Sequence, residues 1–183
     1  MEKIKVYVFK VAFRFRKGLW RRIEIKGNQT LADFDHIVRE AFAHDQGDHL
    51  SEFYRKRKGR RHSEGFGIIE PGGGGVGAMV QIWQLGLRES DELEYVYDFG
   101  DNIQHIITLE KIKEIEKKVT YPRIIAKNKP RYRYCEECEE QGKKTVAQWI
   151  CIECSDEEGR GVYLCDECAT ANHDDHWIEE IVY

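Results

Sequence analysis

The chain has 183 residues, of which 41% are hydrophobic and 34% are charged, and its formal net charge at pH 7 is −4. This length and apolar content allow one domain with a substantial core or two smaller domains. No segment approaches the roughly 20 consecutive apolar residues of a membrane-spanning helix, and the N-terminus lacks the apolar core of a signal peptide. The sequence therefore predicts a soluble, cytoplasmic protein without a membrane partner.

The charge is distributed unevenly along the chain. Residues 1–130 carry 24 Lys and Arg against 19 Asp and Glu, whereas residues 131–183 carry 5 against 14. We interpret these two ranges as an α+β domain followed by a small metal-binding domain. Because an acidic surface repels phosphate groups, the second domain is not expected to bind nucleic acid.

The first elements combine a hairpin with a helix. Apolar and charged residues alternate over 4–16, which predicts a long half-buried strand, and Lys17-Gly18 would turn the chain into a return strand. Thr30 resembles a helix N-cap, and apolar residues then recur at helical spacing over 31–43. With a short strand at 50–55, these elements predict a grasp-like (ubiquitin-like) fold, in which one main helix covers an antiparallel or mixed sheet.

A basic run and a glycine-rich segment follow. Arg55–Arg61 holds six Lys and Arg around one glycine, and we interpret residues 56–77 as a long exposed insertion. A solvated loop is the favoured interpretation of the basic run, and the alternative is a contact with phosphate or with an acidic patch on a partner. The next segment, Met79 to Leu85, is predicted to be a strand.

The segment 92–109 predicts a second hairpin, with Gly100-Asp101 as a two-residue loop at its tip. That register would make Asp98 and His105 diagonal neighbours on one face. A carboxylate beside an imidazole can bind metal or transfer protons, so Asp98, Asp101 and His105, with His49 nearby, are candidate enzymatic residues. The favoured interpretation is structural, in which Asp101 caps the turn, Asp98 stabilises the hairpin and His105 is a hydrogen-bonded histidine of the sheet.

The remaining histidines and the segment before the cysteines are given structural roles. His36, His44 and His62 are interpreted as surface residues. Residues 121–130, which contain Pro122 and Pro130, are interpreted as a connector between the two domains.

The acidic C-terminal range contains eight cysteines and histidines with metal-ligand spacing, C-x2-C-x12-C-x2-C-x10-C-x2-C-x4-H-x2-H. The candidate ligands are Cys135, Cys138, Cys151, Cys154, Cys165, Cys168, His173 and His176. Two tetrahedral Zn²⁺ ions need eight such ligands, and matched sets leave no open position for catalysis. Two structural Zn²⁺ ions are therefore predicted. Disulfides are disfavoured because the chain has no export signal, and a redox pair is disfavoured because the C-x2-C pair, or knuckle, occurs three times.

Each C-x2-C pair is a half-site, and two combinations of half-sites are open. A sequential arrangement joins the first two Cys pairs and, separately, the third Cys pair with the histidines. A cross-brace arrangement joins the first and third Cys pairs and, separately, the second Cys pair with the histidines. The cross-brace is favoured because Cys165-x2-Cys168 followed by His173-x2-His176 resembles ZZ-type and B-box zinc modules.

Four segments of the N-terminal range carry a family resemblance: Leu19 to Ile23, Glu40 to Phe42, His49 to Phe53, and Tyr97 to Asp101 together with His105. With these segments, about residues 4–125 resemble the plasmid pRiA Orf-three-like family. It implies an α+β fold and an association with plasmids and mobile genetic elements. It implies no particular reaction.

Three functions follow from these observations. The leading prediction is an adaptor that binds another protein through the zinc domain. The alternatives are a nucleic-acid accessory protein that uses Arg55–Arg61 and a hydrolase-like or metal-dependent enzyme that uses Asp98, Asp101 and His105.

Overall fold

A computed structural model of the protein describes residues 4–55 and 64–183. The chain divides into two compact units, Met1–Asn128 and Lys129–Tyr183, which we call unit 1 and unit 2. The prediction of an α+β fold with a large sheet, few helices and a Cys-rich C-terminal region is confirmed. Among the described residues, no helix is both long enough and apolar enough to cross a membrane.

Unit 1 is a seven-stranded antiparallel sheet in the order β4-β3-β5-β6-β1-β2-β7. Its elements are β1 (Lys5–Phe13), β2 (Trp20–Lys26), α1 (Leu31–Ala41), β3 (Ser51–Arg55), β4 (Glu64–Ile69), a short 3-10 helix (Ile82–Leu85), β5 (Glu92–Tyr97), β6 (Ile103–Glu114) and β7 (Arg123–Lys127). The long strands β1 and β6 pair at the centre of the sheet.

The helix α1 covers one face of this sheet. It begins with a capping box, in which the Thr30 side chain accepts from the Asp33 backbone and the Asp33 carboxylate accepts from the Thr30 backbone. The Phe34 ring on its apolar face lies 4.9 Å from Phe9 of β1 and 5.3 Å from Phe53 of β3, measured between ring centroids. All three rings are fully buried, so the core of unit 1 lies between α1 and the sheet.

Strand β1 is shorter than the sequence pattern predicts. It ends at Phe13, and Phe15, which continues the apolar alternation in the sequence, is 83% exposed. The alternation alone therefore overestimates the length of the strand.

Two segments that the sequence predicts to be loops contain edge strands. Part of the proposed insertion 56–77 is β4, which pairs with β3, and residues 56–63 lie outside the described part of the chain. The proposed connector 121–130 contains β7, which pairs with β2. These strands form the two ends of the described sheet, and their sequences lack a clear alternation of apolar and polar residues.

The prediction of a strand over Met79 to Leu85 is wrong. The segment contains the 3-10 helix Ile82–Leu85, which buries its first and last residues. An i, i+3 spacing places two side chains on the same side of a 3-10 helix, whereas a strand would place them on opposite faces.

The tip of the second hairpin also differs from the prediction. Tyr97 pairs with Ile103, so the loop contains residues 98–102 instead of Gly100-Asp101 alone. Asp98 and Asn102 adopt φ values of 51° and 53°, in the left-handed region. This register places His105 opposite Tyr95, whereas the two-residue loop predicts Val96 as its partner.

Unit 2 consists of short elements around a three-stranded antiparallel sheet in the order β10-β8-β9. The elements are α2 (Glu136–Glu140), β8 (Trp149–Cys151), α3 (Ile152–Glu158), β9 (Val162–Leu164), α4 (Asp166–Asn172) and β10 (Ile178–Glu180). Apart from cysteines and alanines, its buried apolar side chains are Val162 and Leu164.

Candidate functional sites

Each Cys-x2-Cys pair of unit 2 lies at the start of a short helix. Cys135, Cys151 and Cys165 are the N-cap residues of α2, α3 and α4, and the second cysteine of each pair lies in the first turn. Because residues three apart share a face of a helix, both thiols of a pair point to the same side. Each pair is therefore presented as a preformed half-site.

The fold brings the half-sites together in two clusters. One contains Cys135, Cys138, Cys165 and Cys168, and the other contains Cys151, Cys154, His173 and His176. Within each cluster the possible ligand atoms all lie within 4.8 Å of one another. This grouping is the cross-brace arrangement, and these eight residues do not adopt the sequential one.

The distances within the clusters fit tetrahedral metal coordination. Zn–S bonds of about 2.3 Å and Zn–N bonds of about 2.0–2.1 Å imply S···S edges of about 3.8 Å and N···N edges of about 3.3 Å. The Sγ atoms of Cys138 and Cys165 are 3.8 Å apart, and the Nδ1 atoms of His173 and His176 are 3.2 Å apart. Both clusters could therefore hold a metal ion, and their thiolate and imidazole donors suit Zn²⁺.

A carboxylate orients one of the histidines. His173 directs Nδ1 into the second cluster, while its Nε2 lies 2.9 Å from Oε1 of Glu137. A carboxylate on the remote nitrogen fixes the ring and makes the ligating nitrogen more basic. Glu137 lies between Cys135 and Cys138, so it connects the first knuckle with a ligand of the second cluster.

In the second cluster, the two thiols have different pKa values, and ionisation of one opposes ionisation of the other. Burial opposes ionisation of Cys151, but hydrogen bonds from the Cys154 backbone and the His176 side chain lower its pKa to about 7. Burial and the neighbouring Cys151 thiol raise the pKa of Cys154 to about 11. A divalent cation would supply the positive charge that stabilises both thiolates.

In unit 1 the fold separates the proposed enzymatic residues. His105 is fully buried and packs against Phe13, Phe42 and Tyr95, with ring centroids 4.4, 4.7 and 5.6 Å away. Within the described part of the chain, its Nδ1 has no hydrogen-bond partner. His105 is therefore inaccessible from solvent, and the hydrogen-bonded role favoured from the sequence holds only for its Nε2, which lies 3.3 Å from Nε2 of His44.

Asp98 instead lies beside His49. Its Oδ2 atom is 3.2 Å from Nδ1 of His49. Its Oδ1 atom accepts from the backbone of Gly100 at 2.9 Å and from that of Asp101 at 3.4 Å. Among the described contacts, Asp98 and not Asp101 therefore caps this turn, and Asp101 contributes its backbone N–H. The sequence-based suggestion that His49 lies near Asp98 agrees with the structure.

The surface role assigned to His44 from the sequence is wrong, because its ring packs inside unit 1. Its ring stacks on Tyr97 at 4.5 Å, and its Nε2 lies 3.3 Å from Nε2 of His105. Burial and the positive charge of Arg39 lower the pKa of His44 to about 4. Burial, followed by the neighbouring His44, lowers the pKa of His105 well below its usual value. His36 is exposed, as expected, and His62 lies outside the described residues.

The sequence interpretation missed a buried ion pair in α1. Nε of Arg39 donates to Oδ2 of Asp35 at 2.8 Å, and the Arg39 side chain is only 1% exposed. The second carboxylate oxygen, Oδ1, accepts from the hydroxyls of Ser51 and Tyr95. A signal was present, because both charged residues fall between the apolar positions of the helix.

Arg39 also fixes the segment after the helix. Its guanidinium donates to the carbonyl oxygens of Asp45 at 3.0 Å, Asp48 at 2.7 Å and His49 at 3.1 Å. These bonds hold the backbone that carries His49.

Most of the basic run Arg55–Arg61 lies outside the described residues. Arg55, at its start, donates from Nη2 to the carbonyl oxygen of Leu85, and its guanidinium lies 6.0 Å from the Phe66 ring centroid. This side chain therefore has partners within unit 1.

The family model described as "Plasmid pRiA4b ORF-3-like protein" matches residues 5–151. The chain belongs to this family. The match runs past Asn128, the end of unit 1, and past residue 125, where the resemblance in the sequence is expected to end. It includes Cys135, Cys138 and Cys151 but not the remaining candidate ligands, so the range common to the plasmid pRiA4b ORF-3-like family contains neither complete cluster.

A solved structure supports the fold of this family member. A protein of unknown function from Methanosarcina mazei Go1 is 26% identical, with a TM-score of 0.55, over 69% of this chain and 70% of that chain. A comparison with curated proteins found no match.

Proposed function

We propose that unit 2 is a structural double-zinc module through which the protein binds another protein. The observation that carries this proposal is the division of eight ligands into two clusters of four. A tetrahedral Zn²⁺ ion with four protein ligands has no position left for water or substrate. Such an ion stabilises the fold, and the surface of the module is left to recognise a partner.

The small core of unit 2 supports a structural role for the metal. Four of the six cysteines are buried, and the larger aliphatic side chains of the core are Val162 and Leu164. A domain of this size with so few apolar side chains needs another source of stability, such as bound metal. Metal binding and folding of unit 2 are therefore expected to occur together.

The charge of unit 2 indicates the class of partner. Residues 131–183 carry 14 Asp and Glu against 5 Lys and Arg. This acidic surface favours a protein partner with basic groups over the phosphate backbone of a nucleic acid.

Metal content and partner binding test the two parts of the proposal. Protein purified under reducing conditions is expected to contain two zinc equivalents by mass spectrometry, and Cys138→Ser and Cys154→Ser are each expected to lose the ion of their own cluster. Cobalt-substituted protein should show tetrahedral thiolate absorption that added azide does not change. Fewer than two ions, or an azide-dependent spectrum, would contradict closed structural sites.

The partner is tested by cross-linking and mass spectrometry in cells. A protein that cross-links to unit 2 of the wild type should be lost with Cys138→Ser and retained with Glu140→Ser, an exposed change on the same helix. If the wild type, Cys138→Ser and Glu140→Ser all cross-link to the same proteins, the adaptor role is wrong.

Binding of nucleic acid by Arg55–Arg61 stays a prediction. It would require binding at low salt that weakens steeply as salt increases.

A further inference from the structure

We propose that His49 and Asp98 form a proton-transfer site in unit 1, in which Nε2 of His49 acts as a general base toward water or a hydroxyl group. The proposal is independent of the metal clusters of unit 2. It narrows the enzymatic set considered from the sequence to Asp98 and His49, because the accessible imidazole belongs to His49 and not to the buried His105.

The contact between the two side chains determines which ring nitrogen of a neutral His49 carries the proton. Oδ2 of Asp98 lies 3.2 Å from Nδ1 of His49, and the two backbone N–H groups on Oδ1 hold the carboxylate in this orientation. A neutral imidazole beside a carboxylate donates its proton through that contact, so Nε2 carries the free lone pair. The His49 side chain is 42% exposed, which leaves Nε2 within reach of a solvent-borne molecule.

The backbone on both sides of this contact is held in place. Arg39 binds the carbonyl oxygen of His49, and the Asp98 backbone N–H donates to the carbonyl oxygen of Leu50 at 3.0 Å. Tyr97 packs edge-on against the His49 ring, with centroids 5.7 Å apart. The loop of His49 and the loop of Asp98 are thereby joined directly, next to the two side chains that act.

This arrangement has an energetic cost that packing alone does not explain. His49 and Asp98 adopt φ values of 61° and 51°, which disfavour residues with a Cβ atom. The Arg39–Asp35 pair is buried, and burial of two charges costs free energy that the ion pair only partly offsets. Arg39 bonds the backbone carbonyl of His49, so the buried ion pair and the two left-handed residues adjoin the segment that carries the exposed imidazole, and backbone strain of this kind clusters at functional sites.

The surroundings indicate the class of substrate. Oδ2 of Asp48 lies 3.8 Å from Nε2 of His49, and Asp101 follows in the loop of Asp98, so anionic substrates are repelled. Leu50 and Phe99, which are 38% and 42% exposed, supply apolar surface in the same two loops. A neutral or cationic molecule with an apolar group, such as an uncharged ester, fits this chemistry.

The proton-transfer step balances for ester hydrolysis. Nε2 takes a proton from water as the water oxygen bonds to the acyl carbon. The alcohol then leaves as the bond between the acyl carbon and its oxygen breaks, and the imidazolium returns the proton to the alcohol. Asp98 is a positioning residue in this scheme, because it acts on the substrate only through His49.

Hydrolysis of p-nitrophenyl acetate by the full-length protein tests the base. His49→Gln is expected to reduce the rate by about 10-fold or more, since a positioned base contributes about 100-fold or more to a well-aligned reaction. The matched control is His36→Gln, an exposed histidine on α1, which should hydrolyse at the wild-type rate. Equal rates for the wild type and His49→Gln, or equal losses in both variants, would overturn the proposal.

Two further measurements test the role of Asp98 and the independence of His49 from the metal clusters. In ¹⁵N NMR spectra, neutral His49 should carry its proton on Nδ1, and Asp98→Asn should change this tautomer while the melting temperature of unit 1 is retained. A wild-type His49 protonated on Nε2 would contradict the role of Asp98. Chelation of the metal, followed by alkylation of the six freed thiols so that they cannot react with the ester, should leave the hydrolysis rate unchanged. A loss of activity with the metal would assign the reaction to unit 2 and overturn the His49 site.

Discussion

The two units are stabilised by different means. Unit 1 buries phenylalanine, isoleucine, leucine and valine side chains between α1 and a seven-stranded sheet. Unit 2 has a three-stranded sheet, and its buried side chains are mostly cysteines and alanines. A core of the first kind is stabilised by removing apolar surface from water, whereas the second kind needs cross-links.

This difference has a consequence for how each unit responds to change. In unit 1 many side chains each contribute a small part of the stability, so single changes are graded in effect. In unit 2 eight candidate ligands form two clusters that could each hold a metal ion, so removal of one ligand is expected to disable a whole cluster.

The largest effect is expected from removal of metal. Structural Zn²⁺ contributes about 10–16 kcal/mol to the folding of small zinc domains, so a chelator should unfold unit 2. Unit 1 has its own core and should keep its melting transition. Differential scanning calorimetry with and without chelator measures both transitions, and added zinc should restore the lost one. Simultaneous loss of both transitions would show that the units do not fold independently.

The second largest effect is expected in unit 1, from Arg39→Met. This change leaves the buried Asp35 carboxylate without its charged partner and should lower the free energy of unfolding by about 3–5 kcal/mol. Arg88→Met, at an exposed position, should stay within about 0.5 kcal/mol of the wild type. Urea unfolding of unit 1 measures both variants, and equal stabilities would show that the ion pair is not a stabilising element.

Replacement of the Asp35–Arg39 pair as a whole sharpens this test. Asp35→Leu combined with Arg39→Met leaves no unpaired charge, so it should recover part of the stability lost by Arg39→Met alone. It would still lack the three hydrogen bonds to the carbonyl oxygens of residues 45, 48 and 49.

The smallest effect is expected from the titration of His44, which makes the stability of unit 1 depend on pH. Its pKa is lowered from 6.5 to about 4 by burial and by Arg39, while the unfolded chain keeps an ordinary histidine pKa. Between pH 6.5 and about 4 the unfolded chain therefore binds more protons, so the stability of unit 1 falls as the pH falls. The His105 imidazole, whose pKa is also lowered, adds to this loss in acidic solutions.

His44→Phe removes this titration and keeps an aromatic ring against Tyr97. The variant should lose less stability than the wild type between pH 7 and pH 4.5, as measured by urea unfolding of unit 1 at each pH. His36→Gln serves as the exposed control and should follow the wild type. If His44→Phe has the same slope as the wild type, the proton uptake belongs to other groups.

The membership of each metal cluster could be predicted from the sequence only in part. The x2 spacing indicates half-sites, because it places two side chains at the start of a helix on one face. It does not determine which half-sites join, because any two pairs supply four suitable ligands. That choice depends on how α2 and α4 pack around β8 and β9, which are contacts between distant residues.

The site in unit 1 could be predicted less well, because its geometry depends on one turn. Gly100-Asp101 indicates a two-residue loop, but left-handed conformations at Asp98 and Asn102 lengthen it to five residues. The change in register directs Asp98 toward His49. The sequence does contain a further signal, because Asp35 and Arg39 are four residues apart among the apolar positions of α1 and can form an i, i+4 pair.

The alternation of half-sites along the chain affects when the metal can be captured during biosynthesis. The first cluster needs Cys165 and Cys168, and the second needs His173 and His176. A nascent chain that has grown only to Cys151 carries three of the eight ligands and can complete neither cluster. Neither cluster can therefore be complete before Cys168 has been synthesised, and a premature stop anywhere before Cys165 removes ligands from both clusters together.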